Sequence, residues 1–195
     1  IQADWIGGVS NRITYKDLSF NFLIDVKKGG SVFSLDQAYG QDTGLGVQTA
    51  YINDLGNPVR NTLANGGGYI NPGVMLDTNG NYVTNTTRVD ASDSSEASGV
   101  GFGVSGNPNS NYVYDASYVK LREVGFTYTL PSKYLEQSFI KDMSFSLIGN
   151  NVWIIHKNLP DADPEAGTSA GNIQGFQSGV MPSVKMYSFN VKVKF

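Results

Sequence analysis

From Trp5 to Tyr15 the chain reads WIGGVSNRITY, and its positions fall into two sets: Trp5, Val9, Ile13 and Tyr15 on one side, Ser10, Arg12 and Thr14 on the other. A period of two belongs to a strand with one apolar and one polar face. Four more segments repeat it. LSFNFLIDVKK sets Leu18, Phe20, Phe22, Ile24 and Val26 against Ser19, Asn21, Asp25 and Lys27. YVKLREVGFTYTL sets Val124, Phe126, Tyr128 and Leu130 against Glu123, Gly125, Thr127 and Thr129. MSFSLIGNNVWII sets Met143, Phe145, Leu147 and Trp153 against Ser144, Ser146 and Asn150. In VKMYSFNVKVKF, Tyr187, Phe189, Val191 and Val193 oppose Ser188, Asn190, Lys192 and Lys194, and Phe195 follows. Strands are therefore predicted at about 5–15, 18–28, 118–130, 143–155 and 184–195.

These segments are longer than the ~5 to 6 residues usual in globular sheets and match the ~9 to 11 of tilted membrane strands. Ten residues at a tilt near 45° cover about 23 Å, close to the apolar band of an outer-membrane barrel. Five aromatics fall at the strand ends on the apolar parity: Tyr15, Tyr128 and Phe195 toward one rim, Trp5 and Trp153 toward the other. That is where membrane-anchoring aromatics are expected. The links alternate too. Lys16 and Asp17 alone join the first two strands, which form a tight hairpin, and the link before Met143 is short, whereas about 30–117 and about 156–182 are long. Tight periplasmic turns and long external loops follow this habit, which places Phe195 on the periplasmic side. Three details resist the pattern. Asn11 and Asn151 fall on the apolar parity, Val119 and Leu121 are out of phase with Val124 and Phe126, and Lys185 also faces outward. The phase change requires a bulge, and a lysine near a rim can snorkel.

Composition narrows the class. Of 195 residues, 40% are hydrophobic, 16% charged and 23 are Gly, which suits strands and turns better than packed helices. A net charge of −3 gives no basic footprint, so nucleic acid is not an expected partner. With no Cys there is no disulfide framework or thiolate metal site. No apolar run reaches the 18 residues of a membrane helix, which leaves barrel strands open. The opening IQADWIGG has neither Met nor a signal segment, and the chain is expected to be the C-terminal part of a longer protein.

Gly30 to Ser117 is rich in Gly, Asn, Ser and Tyr, too long to be structureless, and expected to have a fold and a binding role of its own. SLDQAYG reads as one helical turn and VMLDTNGNYVT as a hairpin about Asn79 and Gly80. Tyr69, Tyr82, Tyr112 and Tyr114 are the candidates for stacking on substrate, with loop packing as the plainer reading. Asp77, Asn79 and Asn81 imitate a calcium loop, but Gly80 is misplaced and Arg88 stands where a bidentate Glu belongs, so a turn is expected. Asp161, Asp163 and Glu165 read as solvated loop carboxylates before a surface cation site. His156, the single histidine, has no partners for a triad or a multi-histidine metal centre. Asn85 begins an Asn-X-Thr of no weight outside a eukaryotic secretory context. Catalysis, metal and cofactor are not expected.

Taken in order, LIDVKKGGSVFSLDQAYG, YVYDASYVKLREVGFTYTLP, GNNVWIIHKNLPDADPEAG and GNIQGFQSGVMPSVKMYSFNVKVKF resemble the C-terminal end of SusC/RagA-type TonB-linked outer-membrane transporters of Bacteroidetes. The resemblance implies an all-β fold: a transmembrane antiparallel barrel of about 22 strands, of which this chain supplies the last five. It implies an N-terminal plug absent from this chain, a SusD-like lipoprotein lid, energy from the TonB complex, and import of glycans or peptides through the bacterial outer membrane. It also makes Phe195 resemble the C-terminal signal that barrel assembly reads. Five strands cannot close such a barrel alone. The competing class is a soluble or surface carbohydrate-binding β-sandwich, in which the same alternation would be buried between two sheets.

Overall fold

The computed structural model describes residues 1–91, 108–166 and 174–195, so 92–107 and 167–173 of the two expected loops lie outside the described residues. The chain forms two compact units.

The first unit comprises residues 1–32, 114–176 and 180–195. It carries a five-stranded sheet of β1 (Trp5–Tyr15), β2 (Leu18–Lys28), β3 (Tyr118–Thr129), β4 (Asp142–Lys157) and β5 (Met186–Lys194). The strands lie in chain order, each antiparallel to the next. Ile13, Phe20, Phe126, Leu147 and Phe189 stand directly across from one another, as do Tyr15, Leu18, Tyr128, Phe145 and Val191. On the reverse face Thr14, Ser19, Thr127, Ser146 and Asn190 form the matching polar row. Hydroxyls bridge it at 3.3 Å (Thr14 to Ser19) and 2.9 Å (Thr127 to Ser146). Cross-strand pairs of this kind stabilise a sheet and hold its register.

The apolar face is uncovered: Ile13 is 58%, Leu147 60% and Phe189 63% exposed. Those side chains are not enclosed between stacked sheets, as the sandwich reading requires. The buried apolar cluster of this unit is small, Val32, Ala116 and Leu159 with Tyr114 and Ala162 against them. Among the described residues β1 and β5 each pair with a single strand.

The phase change in the third strand has a local cause. Opposite Leu23 and Ile24 the register jumps from Glu123 to Leu121, leaving Arg122 without a partner on β2. Opposite Arg122, β4 jumps from Asn150 to Trp153. This bulge returns Leu121 and Trp153 to the apolar face and puts Arg122 and Glu123 together on the polar one. It also corrects Asn151, expected on the apolar side. With a positive φ of 51°, Asn151 turns to the polar face, where its Oδ1 accepts from Arg122 Nη1 at 2.9 Å. Gly125 makes room nearby, since an added Cβ would overlap the Asn21 amide that donates to Glu123 at 2.8 Å.

At the opposite end of the sheet, Lys16 turns the first hairpin with a φ of 51°. Lys141 N donates to Lys194 O at 2.7 Å, and the Phe139 and Phe195 rings stack with centroids 5.6 Å apart.

The second unit comprises residues 33–113 and 177–179. Ser34 caps α1 (Leu35–Asp42), accepting from Gln37 N at 3.1 Å, and the helix runs for eight residues, longer than the single turn expected. Buried Asn53 organises the following segment: Nδ2 donates to the Gly66 and Gly68 carbonyls, both at 2.9 Å, and Oδ1 accepts from Leu55 and Asn57 N. Val74–Leu76 and Tyr82–Thr84 form a hairpin. Its turn is made by Asp77 Oδ1, which accepts from the Asn79 and Asn81 N–H groups, both at 2.8 Å.

Candidate functional site

A charged cluster sits on the polar face at the bulge end of the sheet. Lys120 and Arg122 are two apart on β3, so both project from that face. The Lys120 ammonium, 2% exposed, donates to Asp163 Oδ1 and Glu165 Oε2, each at 2.6 Å, and to Ser183 Oγ at 3.3 Å. All three of its protons are thereby engaged. Arg122 grips Glu165 in a fork, Nη1 to Oε2 at 2.9 Å and Nη2 to Oε1 at 2.8 Å, and Nη2 also donates to Asp25 of β2. The Tyr118 hydroxyl lies 3.3 Å from Asp25 and 3.2 Å from Glu165. Asp163 additionally accepts from Ser183 N at 2.8 Å and Glu165 N at 3.0 Å.

The local folding follows from sequence. The bulge at Arg122 frees its guanidinium from cross-strand packing, and the Asp-Pro-Glu of 163–165 makes a tight turn in which Asp163 Oδ1 bonds two residues onward. The result is a staple. Residues 163–165 and 183, which belong to the link between β4 and β5, are fastened to Lys120 and Arg122 of β3 by ion pairs and hydrogen bonds, and Arg122 in turn pairs Asp25 of β2 and donates to Asn151 of β4. Every charge has opposite charge and hydrogen bonds, as a charge withdrawn from water requires. With the Lys120, Arg122, Asp163 and Glu165 charges paired to one another, the arrangement holds residues 163–165 and 183 against β3.

This corrects the reading of the acidic run. Asp161 is solvent-exposed, but Asp163 is 3% and Glu165 26% exposed, and both bind protein cations. A signal was present: two cations on one face of a strand whose other face is apolar need nearby anions.

The carboxyls titrate accordingly. Burial pushes Asp163 up, but the Lys120 ammonium and Ser183 outweigh it and hold the group at about 2. Arg122, then Lys120, hold Glu165 at about 2 against burial. Both folded values lie below the ordinary ones, so the stabilisation is full above the usual carboxylate range and lost as pH falls toward 2. Pepsin is therefore expected to spare residues 158–166 at a pH of about 4 and to cut them at about 2. Equal cutting at both would contradict the staple.

The predicted site residues are dispersed. Trp5, Tyr15, Trp153 and Phe195 are exposed, and Tyr128 is half-buried. In the second unit Tyr69 and Tyr112 are buried at 8% and 1%, whereas Tyr82 is 77% exposed. Tyr114 packs against the first unit's apolar cluster. His156 is exposed.

No protein-family model matches the chain. Among curated proteins it is similar to two TonB-dependent receptors of Formosa agariphila. TonB-dependent receptor P3 is 33% identical over 92 residues, covering 44% of this chain and 9% of the receptor. TonB-dependent receptor P26 is 26% identical over 198 residues, covering 98% of this chain and 17% of the receptor. The chain thus spans less than a fifth of either relative. Among solved structures it is similar to the RagAB peptide importer in its "open-open" and "closed-closed" states. Each gives a TM-score of 0.60 at 19% identity, covering 97% of this chain and 17% of that one. The fold therefore matches a portion of the RagAB importer chain, and the motif resemblance to SusC/RagA-type proteins agrees with that match and with the names of the curated relatives.

Proposed function

We propose that this chain, a segment of a SusC/RagA-type TonB-dependent transporter, supplies barrel wall and loop bases for import across the bacterial outer membrane. The observation that carries the reading is the uncovered row Ile13, Phe20, Phe126, Leu147 and Phe189 backed by a polar row on the other face. Lipid is the solvent that such a face requires, and a closed barrel is what satisfies the edges at β1 and β5, each paired on one side only among the described residues.

On this reading the apolar face meets lipid and the polar face lines the lumen. The segments at about 30–117 and 156–182 are extracellular, and Phe195 is periplasmic. The staple at Lys120 and Arg122 keeps the second loop's base from swinging while a SusD-like lipoprotein lid and a glycan or peptide engage the loops. TonB acts through a plug elsewhere in the protein. Tyr82 is the exposed aromatic best placed among the four candidates to stack on a substrate. Trp5, Tyr15, Tyr128, Trp153 and Phe195 anchor the rims. Peptide import by RagAB and the TonB-dependent naming of the curated relatives support transport rather than catalysis.

Fractionation tests the proposal. The full-length protein is expected in the outer membrane, extractable with detergent and resistant to SDS until heated. Recovery as a soluble protein would restore the sandwich reading. Phe195 also serves as an assembly signal, seated on Phe139. Its deletion is expected to lower the membrane-assembled fraction severalfold while Phe139→Ala, which keeps the terminal ring, lowers it less. Assembly unchanged by the deletion removes the signalling role.

A further inference from the structure

In the second unit, α1 ends on a misplaced charge. Asp42 puts a carboxylate at the carbonyl end of the helix, where the helix dipole disfavours an anion, and the last turn holds no basic residue. Asp42 is only partly exposed, and its Oδ1 is buried with no hydrogen-bond partner among the described residues. A carboxylate withdrawn from water in this way costs free energy that a cation against it would offset.

The same carboxylate lines a hollow of about 330 Å³, together with Gln41, Thr43, Gly44, Thr49 and Arg60. That is the small end of the ~300–1,000 Å³ of ligand sites. Arg60 is pinned in its wall. Nε donates to Thr49 O at 2.8 Å, and Nη2 donates to Gly44 O and Thr49 Oγ1. Gly44, with a φ of 73°, admits the guanidinium, since an added Cβ would overlap it. The two Nη1 protons have no partner among the described residues, and no ion pair joins Arg60 to Asp42. One hollow thus carries a cation and an anion that do not meet.

We propose that this hollow binds the zwitterion of a free amino acid or a short peptide, its ammonium against the Asp42 carboxylate and its carboxylate on Arg60 Nη1. Separated opposite charges are complementary to a ligand that carries both, and each contact is a charge-assisted hydrogen bond. A neutral sugar fits less well. Its hydroxyls bring no charge to Asp42, and among the described residues no aromatic ring lines the hollow for a sugar face to stack on. A metal ion would meet the like charge of Arg60. The inference deepens the import reading by naming a ligand chemistry for the first loop, and rests on that reading for the loop's being extracellular.

Calorimetric titration of the full-length protein in detergent micelles tests it, with glycine and triglycine as probes, each also N-acetylated and each also as its C-terminal amide, and glucose as the neutral control. Glycine or triglycine is expected to bind, and the tighter of the two tells whether the source is a free amino acid or a peptide. For that ligand either blocking group should weaken binding about tenfold or more, the worth of one charge-assisted hydrogen bond. Asp42→Asn, which breaks no hydrogen bond at Oδ1, should weaken the free ligand about tenfold and leave its N-acetyl form unchanged. Arg60 stays in place because it also holds Gly44 and Thr49. Blocked ligands or glucose binding as tightly as the free zwitterion, no binding of either free ligand at about 10 mM, or normal binding by Asp42→Asn overturns the site. Each of these results leaves the import reading standing, and membrane fractionation decides that reading separately.

Discussion

Lys120→Met is expected to destabilise the full-length protein by about 3–5 kcal/mol, the usual cost of removing one partner from a buried ion pair. The reason is Asp163. Its carboxylate is 3% exposed and meets Lys120 at 2.6 Å, so without the ammonium it keeps only Ser183 and a backbone N–H. Arg122 still holds Glu165, so the change should free the link at 158–166 while the pairing of β1 to β5 persists. Urea unfolding in detergent micelles gives the energy, and protease cutting within 158–166 locates it. Lys120→Met with Asp163→Leu should recover part of the loss, because removing both charges together leaves neither stranded. A loss within about 0.5 kcal/mol for the single change would show the pair to be dispensable.

Leu147→Arg against Ser146→Arg makes the second strong contrast, from neighbouring positions on opposite faces. Leu147 lies in the apolar row between Phe126 and Phe189, and an arginine there should cost about 2–4 kcal/mol if the row lies near the middle of the bilayer. Ser146 shares only a hydroxyl contact with Thr127, so its replacement toward a watery lumen should cost about 0.5 kcal/mol. Urea titration of refolding into lipid vesicles measures both. Equal costs would mean that the apolar face does not meet lipid.

Particular residues show why some of this was legible before any coordinates. The face assignment of Phe126, Leu147 and Phe189 follows from parity alone, because side chains on a strand alternate whatever surrounds them. The need for a bulge was legible too, from the clash of phase between Leu121 and Val124. Its consequence for Asn151 was not, since a bulge in one strand displaces residues of the next, and that displacement depends on pairing between distant segments. Asp163 and Glu165 were misread for the same reason. A carboxylate in a polar link looks solvated until the fold brings a cation 43 residues earlier within 2.6 Å. The helix outruns the single turn expected from SLDQAYG because it passes Gly40 and ends only at Thr43 and Gly44, whose positive φ of 73° closes it, and which of two glycines stops a helix is not set by sequence alone.

The alternation of side chains, the strand lengths and the motif order determined the class of this protein, because they are local properties that a strand expresses in any setting. The tertiary structure alone decided which charges meet, where the bulge turns Arg122 and Asn151, and which loop tyrosines are buried. Those outcomes depend on contacts between segments far apart in sequence, and pairing distance is what a one-dimensional pattern does not carry.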